Sequence, residues 1–486
     1  MKSVLSRYFI LMLELVSIAC QLDSPCASAD PATSSPKAPG YRGVWYSNQP
    51  SNDKYAYKYS GGLGTFPSNQ APMAVYSHEA NKTFFVYGGK SSGIDSIISI
   101  MAGYYDHTTG MLPRPTIVLE KNTIRDPHDA HHNPTLSIDE KGYLWVFASA
   151  HGGEDGFIYR SDKPYSIDAF EEIARKEFTY PQPSYRKEHG HILLFTKYTT
   201  EAGFAGKVRQ LYVSVSRDGK QWSKDKKIAG FNGHYQVSWA FGDKRGTAFN
   251  WHPPNGGLNA RTNLYYMESG DYERTWTNAA GKRLATPLQS PQNDALVRDY
   301  QKEGLLVYLQ DINFDRDGRP VILYILSRGY ESGPKNGPRL WTTARWIGEQ
   351  WEFRTVATSD HNYDCGSLYI EDDGTWRIIG PTEPGPQKYG TGGEMAMWTS
   401  SDQGKTWTKV RDLTRDSKRN HTYARRPLNA HPDFYTFWAD GDPFKPSESR
   451  LYFANKTGDK VFALPDKMAR DFERPANLGL KPEANK

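Results

Sequence analysis

Hydrophobic and polar positions alternate along most of the chain in short runs, and tight polar turns separate these runs. One example is 135-TLSI-138, followed by the turn DEKG and by 143-YLWVFASA-150. Another is 368-LYI-370, followed by the turn EDDG and by 375-TWRII-379. Alternation with a period of two, broken by turns rich in Asp and Gly, is typical of β-hairpins. No long stretch has sustained helical apolar spacing, so the pattern predicts an all-β protein.

Three of the turns share a longer motif. The segment 400-SSDQGKTW-407 reads Ser-x-Asp-x-Gly-x-Thr-Trp, and 269-SGDYERTW-276 and 216-SRDGKQW-222 are close variants. In this motif the Asp side chain can accept hydrogen bonds from turn amides, while the Trp packs between neighbouring sheets. It resembles the Asp-box, or BNR, turn of sialidase-like β-propellers, where it marks blade hairpins and carries no chemistry. Propellers have about four to eight four-stranded blades, and this chain length suits six to eight.

Composition agrees with this fold class and also indicates export. The 486 residues include 31 Tyr, 13 Trp, 43 Gly and 31 Pro. Lys2 and Arg7 precede the apolar run 8-YFILMLELVSIAC-20, and 27-ASA-29 suits cleavage before Asp30, so residues 1–29 are predicted to be a signal peptide. The run is too short to span a bilayer, and we expect no transmembrane segment. The predicted location is therefore secreted or periplasmic, with lipid attachment at Cys20 as the alternative.

The chain beyond the signal peptide is predicted to form one domain. Residues 30–40, DPATSSPKAPG, form a linker rich in small residues and proline. Residues 41–486 form a single β-propeller domain, and the tail after Pro465 is interpreted as an extended strap. Cleavage would also remove Cys20 and Cys26, which leaves Cys365 alone, so no intrachain disulfide can form.

The net charge of +5 is compatible with an anionic partner. A mildly basic exported protein suits an anionic partner such as an acidic polysaccharide, although ordinary surface charge explains the same value. No basic run is interleaved with aromatic residues, so nucleic acid is not expected as a partner. We expect the protein to act as a monomer.

Polar clusters at predicted strand ends are the candidates for chemistry, because blade loops converge on the channel of a propeller. His131 and His151 flank one hairpin, so its out-and-back path returns both to the same rim. Tyr180 lies in 179-TYPQPSY-185 and Lys197 in 195-FTKY-198. The loop 250-NWHPPNGGLNAR-261 adds His252 and Arg261. Each residue also has a structural explanation, as a turn His, a packed Tyr before Pro, a solvated Lys or a loop cap.

These segments together resemble a known family. The motif D-x-H-x-N-P at residues 129–134, the later His151, the Tyr-Pro segment and the His-Pro loop are similar to the BNR-4 group of seven-bladed β-propellers. That group includes ulvan lyases of polysaccharide lyase families 24 and 25, and related lyases and rhamnosidases that act on rhamnose–glucuronate linkages. The similarity extends from 41-YRGVWYSNQ-49 to 429-NAHPDFYTFWADG-441. The resemblance implies seven blades of four antiparallel strands.

The resemblance also implies roles for individual residues. His131 and Tyr180 would be the catalytic proton-transfer pair, and His151 would bind substrate beside them. Lys197 and His252 would bind the substrate and neutralise its uronate carboxylate. The family has Arg where this chain has Lys197, and Lys lacks the planar fork that grips a carboxylate, so Arg209 or Arg261 would have to compensate. No cofactor is required for this catalysis.

A second cluster suggests a structural metal. His361 and Cys365 lie four residues apart in 361-HNYDC-365, and His431 ends 421-HTYARRPLNAH-431. One Cys with two or three His can hold a structural zinc ion. The alternative is a buried Cys with loop histidines that bond to backbone.

The leading hypothesis is an exported polysaccharide lyase that cleaves a uronate-containing, rhamnose-rich glycan by β-elimination. One alternative is a glycoside hydrolase, such as a rhamnosidase, which would need two carboxyl groups; Asp129, Glu154 and Asp155 are the nearby candidates. A second alternative is a non-catalytic carbohydrate-binding propeller. A sialidase is disfavoured because its arginine triad and its Arg-Ile-Pro motif are absent.

Overall fold

Almost every strand pairs with its neighbours in the sequence, as hairpins joined by tight turns should. The computed structural model describes residues 34–90, 97–122, 129–153, 155–201, 204 and 206–479. Within these residues, seven sheets follow one another along the chain, and each contains at least four antiparallel strands. This arrangement is a seven-bladed β-propeller, which confirms the predicted all-β fold class and the blade number that the family resemblance implied.

A hairpin precedes the blades, and blades 1 to 3 follow it in chain order. The hairpin contains β1 (Trp45–Pro50) and β2 (Tyr57–Gly62). Blade 1 contains β3 (Ala74–Ser77), β4 (Lys82–Gly89), β5 (Ile97–Asp106), the short β6 (Leu112–Pro113) outside the sheet, and β7 (Thr116–Asn122). Blade 2 contains β8 (Pro134–Ile138), β9 (Leu144–Ala148), β10 (Asp155–Ser161) and β11 (Phe170–Glu177). Blade 3 contains β12 (Thr179–Arg186), β13 (Gly190–Thr200), β14 (Lys207–Ser216) and β15 (Lys226–Ala229).

Blades 4 to 7 and a C-terminal segment complete the fold. Blade 4 contains β16 (Gly233–Phe241), β17 (Lys244–Trp251), β18 (Thr262–Ser269) and β19 (Leu296–Arg298). Blade 5 contains β20 (Leu306–Phe314), β21 (Pro320–Ser327), β22 (Arg339–Trp346) and β23 (Trp351–Ser359). Blade 6 contains β24 (Ser367–Ile370), β25 (Trp376–Glu383), β26 (Glu394–Ser400) and β27 (Thr408–Asp412). Blade 7 contains β28 (Asn420–Arg425), β29 (Thr436–Gly441), β30 (Leu451–Ala454) and β31 (Val461–Ala463), and β32 (Phe472–Glu473) and β33 (Ala476–Asn477) follow it. Short 3-10 turns span Ala130–His132, Gly257–Ala260 and Pro334–Asn336.

The middle strands of the blades are buried on both faces because each sheet packs between two neighbours. All five residues of β9 and all eight residues of β21 are buried. Glycines allow the closest approaches: a Cβ atom on Gly380 would lie 2.3 Å from the ring of Trp341 in the preceding blade. The apolar runs that break the simple alternation of the sequence therefore mark strands covered on both sides.

The three Asp-box turns join the third and fourth strands of blades 3, 4 and 6. In the turn of blade 4, Thr275 donates to Oδ1 of Asp271 from its backbone N–H at 2.9 Å and to Oδ2 from its hydroxyl at 2.6 Å. Asp218 and Asp402 accept turn amides in the same way. These turns are structural, as the motif predicts, and they lie away from the channel.

The ends of the chain close the ring. The strap after Pro465 pairs β32 with β6 and β33 with β31, so it connects blade 1 and blade 7. The predicted linker is described from residue 34, and there it is packed: Ala38 is buried and donates its N–H to Pro115. The described part of the predicted linker therefore packs against blade 1. The predicted signal peptide and Cys20 lie outside the described residues. In the described part of the chain, no helix has the length and apolar character needed to cross a membrane.

The first strand of each blade lines the channel, and its direction decides which mouth of the channel each residue lies near. His131 precedes β8, and Tyr180 and Tyr235 lie at the starts of β12 and β16. All three therefore lie at one mouth of the channel. The far ends of the same strands, at Ile138 and Arg186, point to the opposite mouth.

Candidate active site

Bulges at the starts of three inner strands direct tyrosines into the channel. The register shifts between Thr179 and Gln182 in β12, and at equivalent places in β16 and β28. Tyr180 has a φ of +55° and Tyr423 a φ of +50°, a backbone region that non-glycine residues rarely adopt and that is found at functional sites. A bulge re-aims the side chains around it. Tyr180, Tyr235 and Tyr423 consequently line one deep pocket.

One carboxylate holds the two predicted histidines together. Asp129 caps the short 3-10 turn, and its Oδ1 accepts hydrogen bonds from both the backbone N–H and the Nδ1 of His131. Its Oδ2 accepts a hydrogen bond from Nδ1 of His151. The two imidazole rings stack with centroids 4.1 Å apart. Because Nδ1 of His131 donates to Asp129, the Nε2 of its neutral ring carries the lone pair, and this atom faces the hydroxyl of Tyr59.

His131 is neutral at physiological pH. Burial lowers its pKa to about 4, against the opposing effect of Asp129. Its Nε2 lies 3.3 Å from the hydroxyl of Tyr59, and its ring lies 5.7 Å from that of Tyr180. A neutral imidazole can accept a proton at Nε2, and the structure brings the rings of His131 and Tyr180 close together.

Two buried arginines surround a tyrosine that sequence reasoning missed. The guanidinium groups of Arg209 and Arg261 lie 4.5 and 4.7 Å from the ring of Tyr235. Burial raises the pKa of Tyr235, but Arg209 and Arg261 outweigh that effect and lower it to about 8. Burial raises the pKa of Tyr180 well above its usual value, and Tyr235 adds to this effect. Tyr235 is therefore far more acidic than the neighbouring Tyr180.

Among the residues that the structure describes, neither guanidinium group forms an ion pair with a carboxylate. Arg209 is 4% and Arg261 5% exposed, and the groups that act on them electrostatically are tyrosines. Arg209 donates to the hydroxyl of Tyr198 through Nη2, whereas its buried Nε has no partner. Arg261 donates to the hydroxyl of Tyr363 at 3.0 Å and to the carbonyl of Leu258 at 2.8 Å. Buried charges are costly without a counter-ion, so this pair favours a bound anion.

Lys197 does not join this cluster, contrary to the sequence-based prediction. Its Nζ lies 3.0 Å from Asp225 and 3.6 Å from Glu177. The neighbouring Tyr198, which pairs with Arg209 across β13 and β14, points to the other face of the strand. Because side chains alternate along a strand, Lys197 lies on the opposite face of the sheet from Tyr198 and Arg209, and Arg209 is the cation beside Tyr235.

His252 lies in the cluster, but it cannot act as the predicted cation. Its ring lies 5.0 Å from that of Tyr235. Burial lowers its pKa well below the usual value, and Arg261 lowers it further. His252 is therefore a neutral group, and its buried Nε2 has no hydrogen-bond partner. Lys58, also missed from the sequence, lies nearby with its pKa lowered to about 6 by burial and by Arg261.

Two spaces adjoin these residues. A cleft of about 530 Å³ at the rim is lined by Asp129, His132, His151, Tyr198 and Lys207, among others. Below it, a narrow pocket of about 30 Å³ is lined by His131, Tyr180, Tyr235 and Arg261. A cavity of about 350 Å³ at the opposite mouth contains none of the predicted site residues. The cleft therefore has room for an extended ligand beside His151, whereas the pocket has room for only about one or two water molecules.

The three predicted zinc ligands do not form one site. His361 is buried with its Nε2 3.1 Å from the hydroxyl of Ser332. Cys365 is buried and lines the deep pocket, where burial raises the pKa of its thiol to about 12. His431 lies at the opposite end of the molecule, beside His107 and Asp433. The fold thus places His431 away from His361 and Cys365.

Two of the three carboxyl groups considered for hydrolysis, those of Asp129 and Asp155, are poorly arranged for it. Both oxygens of Asp129 are occupied by hydrogen bonds from His131 and His151. Asp155 is exposed at the start of β10, and Glu154 lies outside the described residues. Asp129, His131 and His151 offer ligand atoms within 4.8 Å of one another that could hold a metal ion, and Nδ1 of each histidine is hydrogen-bonded to Asp129.

Comparison with known proteins gives relatives along most of the chain. Residues 101–363 match the BNR repeat-containing family. An ulvan lyase of Alteromonas sp. strain LOR is 23% identical over 440 residues, which cover 81% of this chain and 86% of the relative. An ulvan lyase of Nonlabens ulvanivorans is 24% identical over 346 residues, or 63% of this chain and 69% of the relative. A solved PL25 ulvan lyase bound to -[GlcA(1-4)Rha3S]- superimposes with a TM-score of 0.66 at 17% identity, covering 86% of this chain and 96% of that one.

Proposed function

The chain belongs to the BNR repeat-containing family, and from this premise we propose that it is a polysaccharide lyase. Its substrate is a uronate-containing, rhamnose-rich glycan of the ulvan type, which it cleaves by β-elimination. The observation that carries the proposal is the pair of buried guanidinium groups, Arg209 and Arg261, beside a neutral His131 and a protonated Tyr180. The ulvan lyases among its relatives support the same class of substrate.

The arginines make the difficult step feasible. Removal of the proton at C5 of a uronate is opposed by the negative charge of the adjacent carboxylate. Arg209 and Arg261 would bind that carboxylate and stabilise the enolate-like charge that develops on it, in a site from which water is largely excluded. His252 is neutral and can supply a hydrogen bond but no charge.

The protonation states assign the two proton transfers. Nε2 of neutral His131 accepts the C5 proton as the C5–H bond breaks and the C4–C5 double bond forms. The bond from C4 to the leaving oxygen breaks, and the phenol of Tyr180 protonates that oxygen. The reaction leaves an imidazolium stabilised by Asp129 and a tyrosinate stabilised by Arg209, and proton exchange with solvent restores both. Each transfer contributes about 10²–10⁴-fold, and no nucleophile is required.

The ultraviolet absorbance of an unsaturated uronate product tests the reaction directly. The purified protein is incubated with ulvan, and reducing ends are measured in parallel. We expect the absorbance to rise with the wild type and not to rise with His131→Ala or Tyr180→Phe. Reducing ends without ultraviolet absorbance would favour the glycoside hydrolase, and binding without either signal would favour the carbohydrate-binding propeller.

A matched pair of variants compares Lys197, the cation predicted from the sequence, with Arg209, the cation that lies beside Tyr235 in the structure. Arg209→Ala is expected to lower kcat/KM by about 10²–10³-fold, because it removes a charge that stabilises the intermediate. Lys197→Ala, which loses an ion pair on the outer face of the strand, is expected to leave kcat/KM within about twofold of wild type. A large loss with Lys197→Ala and none with Arg209→Ala would refute this assignment of the carboxylate site.

A further inference from the structure

A cluster on the face opposite the channel mouth has the composition of a metal site. His107 follows β5 of blade 1, and His431 and Asp433 lie in the connection between β28 and β29 of blade 7. One ligand atom from each of the three lies within 4.8 Å of the others. The two imidazole rings have centroids 3.7 Å apart. Nδ1 of His431 lies 3.9 Å from Oδ2 of Asp433 and accepts a hydrogen bond from the backbone N–H of Asp433 at 3.1 Å, a bond that an ion at Nδ1 would replace.

His107 presents an unused ligand atom. Its Nε2 is 2.8 Å from the hydroxyl of Thr83, and its Nδ1 is buried without a hydrogen-bond partner. Metal-binding histidines characteristically make a hydrogen bond through one ring nitrogen while the other binds the ion, because the hydrogen bond fixes the tautomer and the ring orientation. Thr83 would serve as that outer partner.

The surroundings fix the two histidines in place. The ring of Tyr76 lies 5.4 Å from His107 and 4.8 Å from His431, and the ring of Tyr105 lies 5.0 Å from His107. Phe434, which adjoins Asp433, stacks on Phe453 at 4.3 Å. An apolar wall on one side and solvent at Asp433 on the other give an ion both a rigid seat and an entry path.

We propose that His107, His431 and Asp433 bind a zinc ion that holds blade 1 to blade 7. Two imidazoles and one carboxylate, with water as the fourth ligand, are a ligand set that zinc takes in tetrahedral sites. The ligands come from the first and last blades, so the ion would reinforce the closure of the ring beside the C-terminal strap. This site is separate from the channel mouth and is independent of the proposed lyase activity.

Zinc titration of the chelator-treated, full-length protein tests the proposal, with metal analysis for stoichiometry and thermal unfolding as the second readout. We expect wild type to bind one equivalent of zinc and to unfold at a higher temperature with zinc than without it. His107→Ala should abolish both effects. Asp433→Asn, a change at an exposed side chain, should weaken binding by about tenfold or more while leaving the fold intact.

Two further variants separate this site from its neighbours. His78→Ala alters an exposed histidine in the adjacent β3–β4 turn and should retain zinc binding. His151→Ala disrupts the other histidine–carboxylate cluster and should also retain it. Absence of zinc binding by the wild type would overturn the proposal. Zinc binding that survives His107→Ala and Asp433→Asn but is lost with His151→Ala would also overturn it. Lyase activity that is unchanged in His107→Ala is expected, so a failure here leaves the proposed function untouched.

Discussion

The pKa of Tyr235 depends strongly on its neighbours. The two arginines lower its pKa to about 8, whereas burial keeps the pKa of the adjacent Tyr180 well above the usual value. A tyrosinate at position 235 would neutralise one of the two positive charges of Arg209 and Arg261 and compete with the uronate carboxylate for them. Ionisation of Tyr235 therefore weakens the attraction of the site for its substrate.

We expect kcat/KM of the wild type to fall as pH rises through about 8, because deprotonated Tyr235 competes with the carboxylate for Arg209 and Arg261. Tyr235→Phe removes the ionisable group and should shift that fall to higher pH. The measurement is the pH profile of kcat/KM for both proteins on one ulvan preparation. An unchanged alkaline limb in Tyr235→Phe would assign the fall to another group.

At the residue scale, the sequence indicated which chemical groups were present but not which way they point. His131 and His151 could be placed on one rim because they flank a single hairpin. Lys197 and Arg209 lie on paired strands with opposite side-chain directions at the site, and only the register decides which one reaches the channel. The bulge position that carries Tyr180 in β12 and Tyr423 in β28 carries His234 in β16, so Tyr235 lies one residue further along and no repeat in the sequence identified it.

At the scale of elements, the strap after Pro465 fastens the last blade to the first. Met468 is 3% exposed and packs in the apolar cluster between blades 7 and 1, and its N–H donates to the carbonyl of Pro39 at 2.7 Å. Phe472, four residues later in the same strap, is 50% exposed. We therefore expect the buried Met468, rather than the half-exposed Phe472, to stabilise the closure of the ring.

Met468→Ala is expected to lower the free energy of unfolding by about 2–4 kcal/mol, because it removes buried apolar volume at the closure. Phe472→Ala should change it by less than about 1 kcal/mol, since the ring is already half in solvent. Urea unfolding of the two variants compares them under the same conditions. Equal effects would show that the strap is not anchored at Met468.

At the scale of the whole molecule, several buried histidines couple stability to pH. Burial is the first cause in each case, and it lowers the pKa of His131 and His191 to about 4 and of His132, His234 and His361 to about 3. In the unfolded chain these groups titrate near 6.5. Between about pH 4 and 6.5 the unfolded state thus binds more protons, so stability must fall as pH falls through this range.

We expect a lower unfolding temperature at pH 5 than at pH 7, and His191 offers a way to assign part of the change. His191→Gln should reduce the slope of unfolding free energy against pH by up to about 1.4 kcal/mol per unit between pH 4 and 6.5. His189→Gln changes an exposed histidine two residues away and should leave the slope unchanged. Stability that does not vary between pH 5 and 7 would contradict the buried neutral state of these histidines.

The fold class followed from the sequence because it depends on local interactions. The period-two alternation, the Asp-box turns and the apolar runs between them are short-range features, and each specifies a hairpin without reference to the rest of the chain. The family resemblance added the number of blades. The hairpin 134–148 also fixed the closeness of His131 and His151, since antiparallel pairing returns its two ends to the same edge.

The tertiary structure alone decided which distant groups meet. His107 and His431 are far apart in sequence and adjacent in space, whereas His361, Cys365 and His431 are nearer in sequence and separated by the fold. The pKa values of His252, Lys58 and Tyr235 likewise depend on burial and on arginines from other strands, which no local pattern records. Local geometry is encoded in adjacent residues, but side-chain direction, burial and the field of remote charges arise only when the seven blades close into a ring.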